Sequence, residues 1–181
     1  MAMLASLWLP ILLSAVAVFV ASSLIHMLFK WHNRDYRKLP NEDAVRAAIN
    51  AGQPAPGLYV LPYYLDGKEC SSEEAQARFR EGPVGKLTLR RPGAMSVGPM
   101  LLQWFLLNLV VAFVAAFAAI GAGDGHHAAH IAGLATLLAY GAGAVSEAIW
   151  MGKPWAATLK DLLDALIYAV VTAAVFLWLW P

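Results

Sequence analysis

Four carboxylates and four histidines interrupt otherwise apolar stretches of this chain, and they fall into groups with different chemistry. Glu147, Asp161 and Asp164 lie at the edges of long apolar runs. Ionisable side chains at such positions are costly in a bilayer, so they face protein or water and mark ion or proton handling. At helical spacing Glu147 shares a face with Gly143, Tyr140, Thr136 and Gly133. Asp161 and Asp164 align with Tyr168 and Thr172 in the same way. Packing these two faces together, with the small residues letting the backbones approach, gathers the acids near one membrane surface. Lys153 or Lys160 then serves as counter-ion. Two readings stay open: an acidic cluster that locks a hairpin, and a cation- or proton-handling site.

The second group is Asp124, His126, His127 and His130. His126 and His130 are four residues apart, so both imidazoles can reach one divalent metal, with Asp124 as third ligand and a position left open. The plainer reading makes Asp124 the N-cap of a helix with a polar start. No other cofactor is expected. His26 closes the first apolar run and lies across the bilayer from His130. A hydrocarbon core of about 30 Å then separates them, so they cannot share one haem. Asn108, with Gln103, suits hydrogen bonding between spans.

The elements that hold these residues are read from hydropathy. The chain has 181 residues, 60% of them apolar and only 14% charged, against roughly 25% charged in a soluble domain. Four stretches reach the 20 or so residues that cross a bilayer: about Trp8 to Phe29, Pro99 to Gly121, His127 to Met151, and Ala156 to Trp180. The first apolar run, from about Leu4, is longer than the 7–15 residues of a signal-peptide core and no basic residue precedes it, so a retained span is expected. Short connections at 122–126 and 152–155 force the last three spans into an antiparallel series. The fold class expected is an all-α membrane protein with a small α+β insert. Its divisions are a transmembrane helix at 1–29, an insert at 30–99 and a three-helix hairpin bundle at 100–181.

Charge supplies an orientation. Of 13 Lys and Arg, eleven fall between Lys30 and Arg91, and Lys153 and Lys160 flank the last turn. Cytoplasmic loops near spans are enriched in these residues. The reading is an insert facing the cytoplasm of a bacterial-type inner membrane, with both termini outside. Trp31, Trp104, Trp150 and Trp155 then mark the inner interface, and Trp8, Trp178 and Trp180 the outer one.

Within the insert, Asn41 before Glu42 and Asp43 starts a helix that Gly52 ends. Ser71 and Glu74 have capping-box spacing for a second helix stopped by Gly82. Residues 57–61 and 86–90 read as strands that pair across it. Large apolar residues are few, so an independent core is marginal, and the insert is expected to lean on the membrane surface or a partner. The lone Cys70 carries no disulfide signal. The insert holds no phosphate loop, zinc spacing or aromatic–basic interleaving, so nucleic acid is not an expected partner.

These features point away from an enzyme and toward an accessory subunit or assembly factor of a membrane complex, or a homo-oligomer. The partners would be the bilayer and other membrane subunits or self. The alternative is an oligomeric small transporter or channel using Glu147 and the Asp164-Tyr168-Thr172 stripe. A metal-dependent membrane protein built on Asp124, His126 and His130 is a third reading.

Overall fold

The computed structural model describes residues 6–181, so the start of the first apolar run, at Leu4, lies outside the described residues. The molecule is mostly helical. Four helices are long and apolar enough to cross a membrane: Trp8–Phe29, Gly98–Ala119, Gly125–Met151 and Trp155–Leu179. The shortest, with 22 residues, is about 33 Å long, enough for a core of about 30 Å. Each agrees with its expected span to within about two residues at either end.

The chain divides into two compact units. One combines the residues up to Tyr36 with Ser96–Pro181, and the other is Arg37–Met95. The boundary falls inside the expected insert limits of 30–99, because the segment after the first span belongs to the bundle.

In the first unit, α1 runs over Trp8–Ser23 and continues as a π-helical turn, Leu24–Phe29. Lys30, at φ 54°, ends it in the left-handed region, and its N–H donates to the Ile25 carbonyl at 2.8 Å. That bond spans five residues, the π pattern, which recurs at functional sites. A 3₁₀ turn, Trp31–Asp35, follows.

The other three helices of this unit, in order of packing, begin with the hairpin formed by Gly125–Met151 and Trp155–Leu179. Small residues set its spacing. A Cβ on Gly133 would lie 3.2 Å from the Ala173 Cβ, and one on Gly141 would lie 3.2 Å from Leu162 Cδ2. Gly143, grouped with that face by spacing, instead meets open space, because it is exposed on the side away from the contact. Asp124 caps the hairpin's first helix by accepting from the His127 N–H at 2.9 Å. Gly152, at φ 70°, ends that helix in a left-handed turn, a conformation that costs glycine least. Gly98–Ala119 enters with proline in its first turn, where the missing N–H is harmless.

The core is built mainly from alanine. One cluster joins Leu7, Ala115, Ala116, Ala119, Ala128, Ala132 and Phe176 near the 120–124 turn. The other joins Val18, Ile25 and Tyr168, with Trp31, Trp104 and Tyr140 packed against it. Leu102, Phe117, Leu138 and Val170 remain exposed on the outer faces.

In the second unit, α2 (Glu42–Ala51) starts after Asn41 and ends at Gly52. Then come β1 (Gly57–Leu61), a four-residue helix α3 (Gly67–Cys70), α4 (Glu73–Glu81) and β2 (Gly85–Leu89). The strands pair antiparallel, Gly57 opposite Leu89 and Leu61 opposite Gly85. The cap of α4 is Ser72, whose Oγ accepts from the Ala75 N–H at 3.2 Å, one residue beyond the Ser71 that capping-box spacing selects. Ser71 is used by α3 instead, its hydroxyl donating to the Gly67 carbonyl at 2.8 Å.

For the bundle, continuing the numbering, α5 is Gly98–Ala119, α6 is Gly125–Met151 and α7 is Trp155–Leu179.

Candidate functional site

The site forms at the end of the bundle where α1 turns, α5 begins, α6 ends and α7 begins. The π turn and the left-handed Lys30 bring Trp31, His32 and Asp35 against the first turns of α7. Trp31 Nε1–H donates to Asp164 Oδ1 at 3.1 Å, and His32 Nε2 lies 2.9 Å from Asp164 Oδ2. On its other side, His32 Nδ1 lies 3.2 Å from Asp35 Oδ2 and 4.0 Å from Asp161 Oδ1. Both ring nitrogens of His32 therefore face carboxylates.

Two lysines tie the rest together. Lys160 Nζ donates to the Trp31 carbonyl at 2.9 Å and pairs with Asp35. Lys153 Nζ bridges Asp161, at 2.6 Å, and Glu147, at 3.5 Å. The Lys160 hydrogen bond holds the Asp35 carboxyl below its ordinary range, assisted by His32. Partial burial pulls Lys153 down, but Asp161 and Glu147 together outweigh it and leave its ammonium held above the ordinary value.

His26, in the π turn, stacks on His32 with ring centroids 5.1 Å apart. Its Nδ1 lies 3.0 Å from the Ser22 carbonyl. A carbonyl only accepts, so Nδ1 donates and Nε2 is left as the ligand atom. One ligand atom from each of His26, His32 and Asp164 lies within 4.8 Å of the others.

A cavity of about 550 Å³ opens beside these groups. His26, Glu147, Lys153, Asp161 and Asp164 supply its polar wall, and Met27, Met100 and Leu101 line it with apolar side chains. Beside them Tyr168 packs edge to face on both Trp104 and Tyr140, and Trp104 is tilted against Tyr140, with centroids 5.2 to 6.4 Å apart. Trp104 Nε1–H donates to Ser22 Oγ at 2.8 Å. Tyr140 O–H donates to Asn108 Oδ1 at 2.7 Å. Asn108 is only 1% exposed, and among the described residues its Nδ2 has no hydrogen-bond partner.

Of the residues singled out by sequence, Glu147, Asp161, Asp164, Tyr168 and His26 therefore share one cavity, and Asn108 sits behind it. Thr172 is buried and does not line it. Asp124, His126 and His130 start α6, at its opposite end from Glu147. There Asp124 spends an oxygen on the helix cap, and its carboxyl is held low first by the His127 backbone N–H. Among the described residues the ligand atoms that converge are those of His26, His32 and Asp164, and the Asp124 trio is not such a group.

Sequence reasoning passed over Trp31, His32 and Asp35. Trp31 was assigned to the interfacial belt, and the neighbouring charges to topology. A signal was present: His32 and Asp35 are three residues apart directly after a span, the spacing of a side-chain pair on one turn. Compared with known protein families, curated proteins and solved structures, the chain matches none.

Proposed function

We propose that this chain is a multi-pass protein of a bacterial-type inner membrane, with its insert facing the cytoplasm, and that it acts as an accessory subunit or assembly factor. Its partners are other membrane subunits or a second copy. One observation carries this reading: within Arg37–Met95, Ala75 is the single buried residue. A two-stranded hairpin with so small a core is marginal alone. Leu58 and Val60 share one strand face, and both are exposed, as are Tyr63, Leu65 and Val84. That surface is suited to completion by another protein. The basic residues at the two ends of the insert support the orientation.

The test is the mass of the particle extracted in native lipid discs without detergent. The expected result is a species larger than one chain, reduced to a single chain by the double variant L58E/L65E. Native discs that always hold one chain alone would overturn the reading.

A second reading, cation or proton passage through an oligomer, is supported by the acidic wall of the cavity. The lining ends at Tyr168, one turn short of Thr172, so a path would need another copy to extend it. Liposome flux that survives Glu147→Gln unchanged would remove Glu147 from any such path.

A further inference from the structure

We propose that His26, His32 and Asp164 form a binding site for one divalent first-row transition metal. Two imidazoles and one carboxylate are a ligand set such ions take, and three protein ligands leave a coordination position open. The convergence of the three ligand atoms is the first observation. The second is the way each histidine is held. His26 Nδ1 is occupied by the Ser22 carbonyl, and His32 Nδ1 by the Asp35 carboxylate. A carbonyl or carboxylate on the far nitrogen is the usual support of a metal-bound histidine, because it fixes the ring and aims the other nitrogen. Asp35 is itself fixed by Lys160, and Asp164 by Trp31. The support thus extends one layer beyond the ligands.

Charge is the third observation. Asp35, Asp161, Asp164 and Glu147 bring four carboxylates to this end of the bundle, and Lys153 and Lys160 bring two ammonium groups. Asp164, the buried one of the four, meets the Trp31 N–H and a His32 ring nitrogen rather than a lysine, in a setting where buried charge is expensive. A divalent cation supplies the balance. The spacing also suits it. Metal–ligand bonds of about 2.0–2.1 Å put neighbouring tetrahedral ligand atoms about 3.3 Å apart. His32 Nε2 and Asp164 Oδ2, now 2.9 Å apart, need to part by only a few tenths of an ångström. His26 and Asp164 both line the cavity, so the open position has room for water or a small anionic or carbonyl ligand.

The test uses the full chain in lipid nanodiscs, stripped with chelator, then titrated separately with Zn²⁺, Co²⁺ and Mn²⁺. One ion per chain is expected for at least one of the three. H26A is the informative variant, because His26 is exposed and its loss leaves the Trp31–Asp164 and Lys160–Asp35 ties in place. It should weaken binding more than D35N, which removes a supporting carboxylate and is expected to cost about 10–100-fold. H130A should bind as the unaltered chain does. Thermal unfolding of each variant without metal separates lost binding from lost fold. No stoichiometric binding of any of the three ions, unchanged affinity in a folded H26A protein, or loss in H130A alone would each overturn the proposal.

Discussion

At the scale of single residues, the bundle contains polar contacts whose partners decide their worth. Tyr140 donates to Asn108 in a site with almost no access to water. Tyr140→Phe leaves the Asn108 oxygen unpaired beside an amide nitrogen that already has no partner among the described residues. The expected loss is about 1 kcal/mol, read by unfolding in mixed micelles. Adding N108L should restore most of it, since removing both partners together costs little. Asp35 carries a pH dependence of defined sign. Because the Lys160 bond depresses its carboxyl, its stabilising effect is complete above the ordinary carboxylate range. The effect disappears as pH falls through the lowered value. Thermal unfolding across acid pH should show this loss in the unaltered chain, and K160M should flatten that part of the profile. At Trp31, His32 and Asp35 only the local His32–Asp35 spacing was legible in sequence, because their other partners lie about 130 residues away on α7. Asp164 could be singled out by its apolar surroundings. Its partners could not, because tertiary neighbours leave no periodic trace.

At the scale of elements, the four long helices were legible because a helix able to cross a membrane has one required property, apolarity sustained over a fixed length. Turn residues at Gly52, Gly82 and Asp124 were legible because caps are local chemistry. The cap of α4 slipped by one residue because Ser71 and Ser72 are adjacent, and each serves a different helix. The α6–α7 seam shows how far face-reading reaches. Gly133 does face α7, whereas Gly143 does not. Gly133→Leu must force the helices apart and should cost about 1–3 kcal/mol. Gly143→Leu points into open space and should be neutral or slightly stabilising through its better helix propensity. Steric-trap or mixed-micelle unfolding of the two variants side by side checks the contrast. Equal losses would mean that the seam is not set by Gly133.

For the whole molecule, the proposed orientation can be read from one native atom. Cys70 is the single cysteine of the chain and sits in the Arg37–Met95 unit. A membrane-impermeant maleimide should leave it unlabelled in intact spheroplasts and label it in inverted vesicles. Labelling in the intact spheroplasts would reverse the topology. In the insert, strand pairing follows from alternation and the thin core from the scarcity of large apolar residues, both legible in sequence; which faces are left uncovered is seen only in the structure.

The π turn at Leu24–Phe29 has a consequence for how this protein can change over generations. A substitution there that lets all six residues rewind as ordinary α-helix would change the angle through which the stretch turns. Every later side chain of that segment would swing about 100° around the axis. Hydropathy, length and charge would all be kept, and the span would still insert. Yet His32 and Asp35 would face away from α7. One substitution, silent to any measure of membrane character, would thus disconnect the first span from the last.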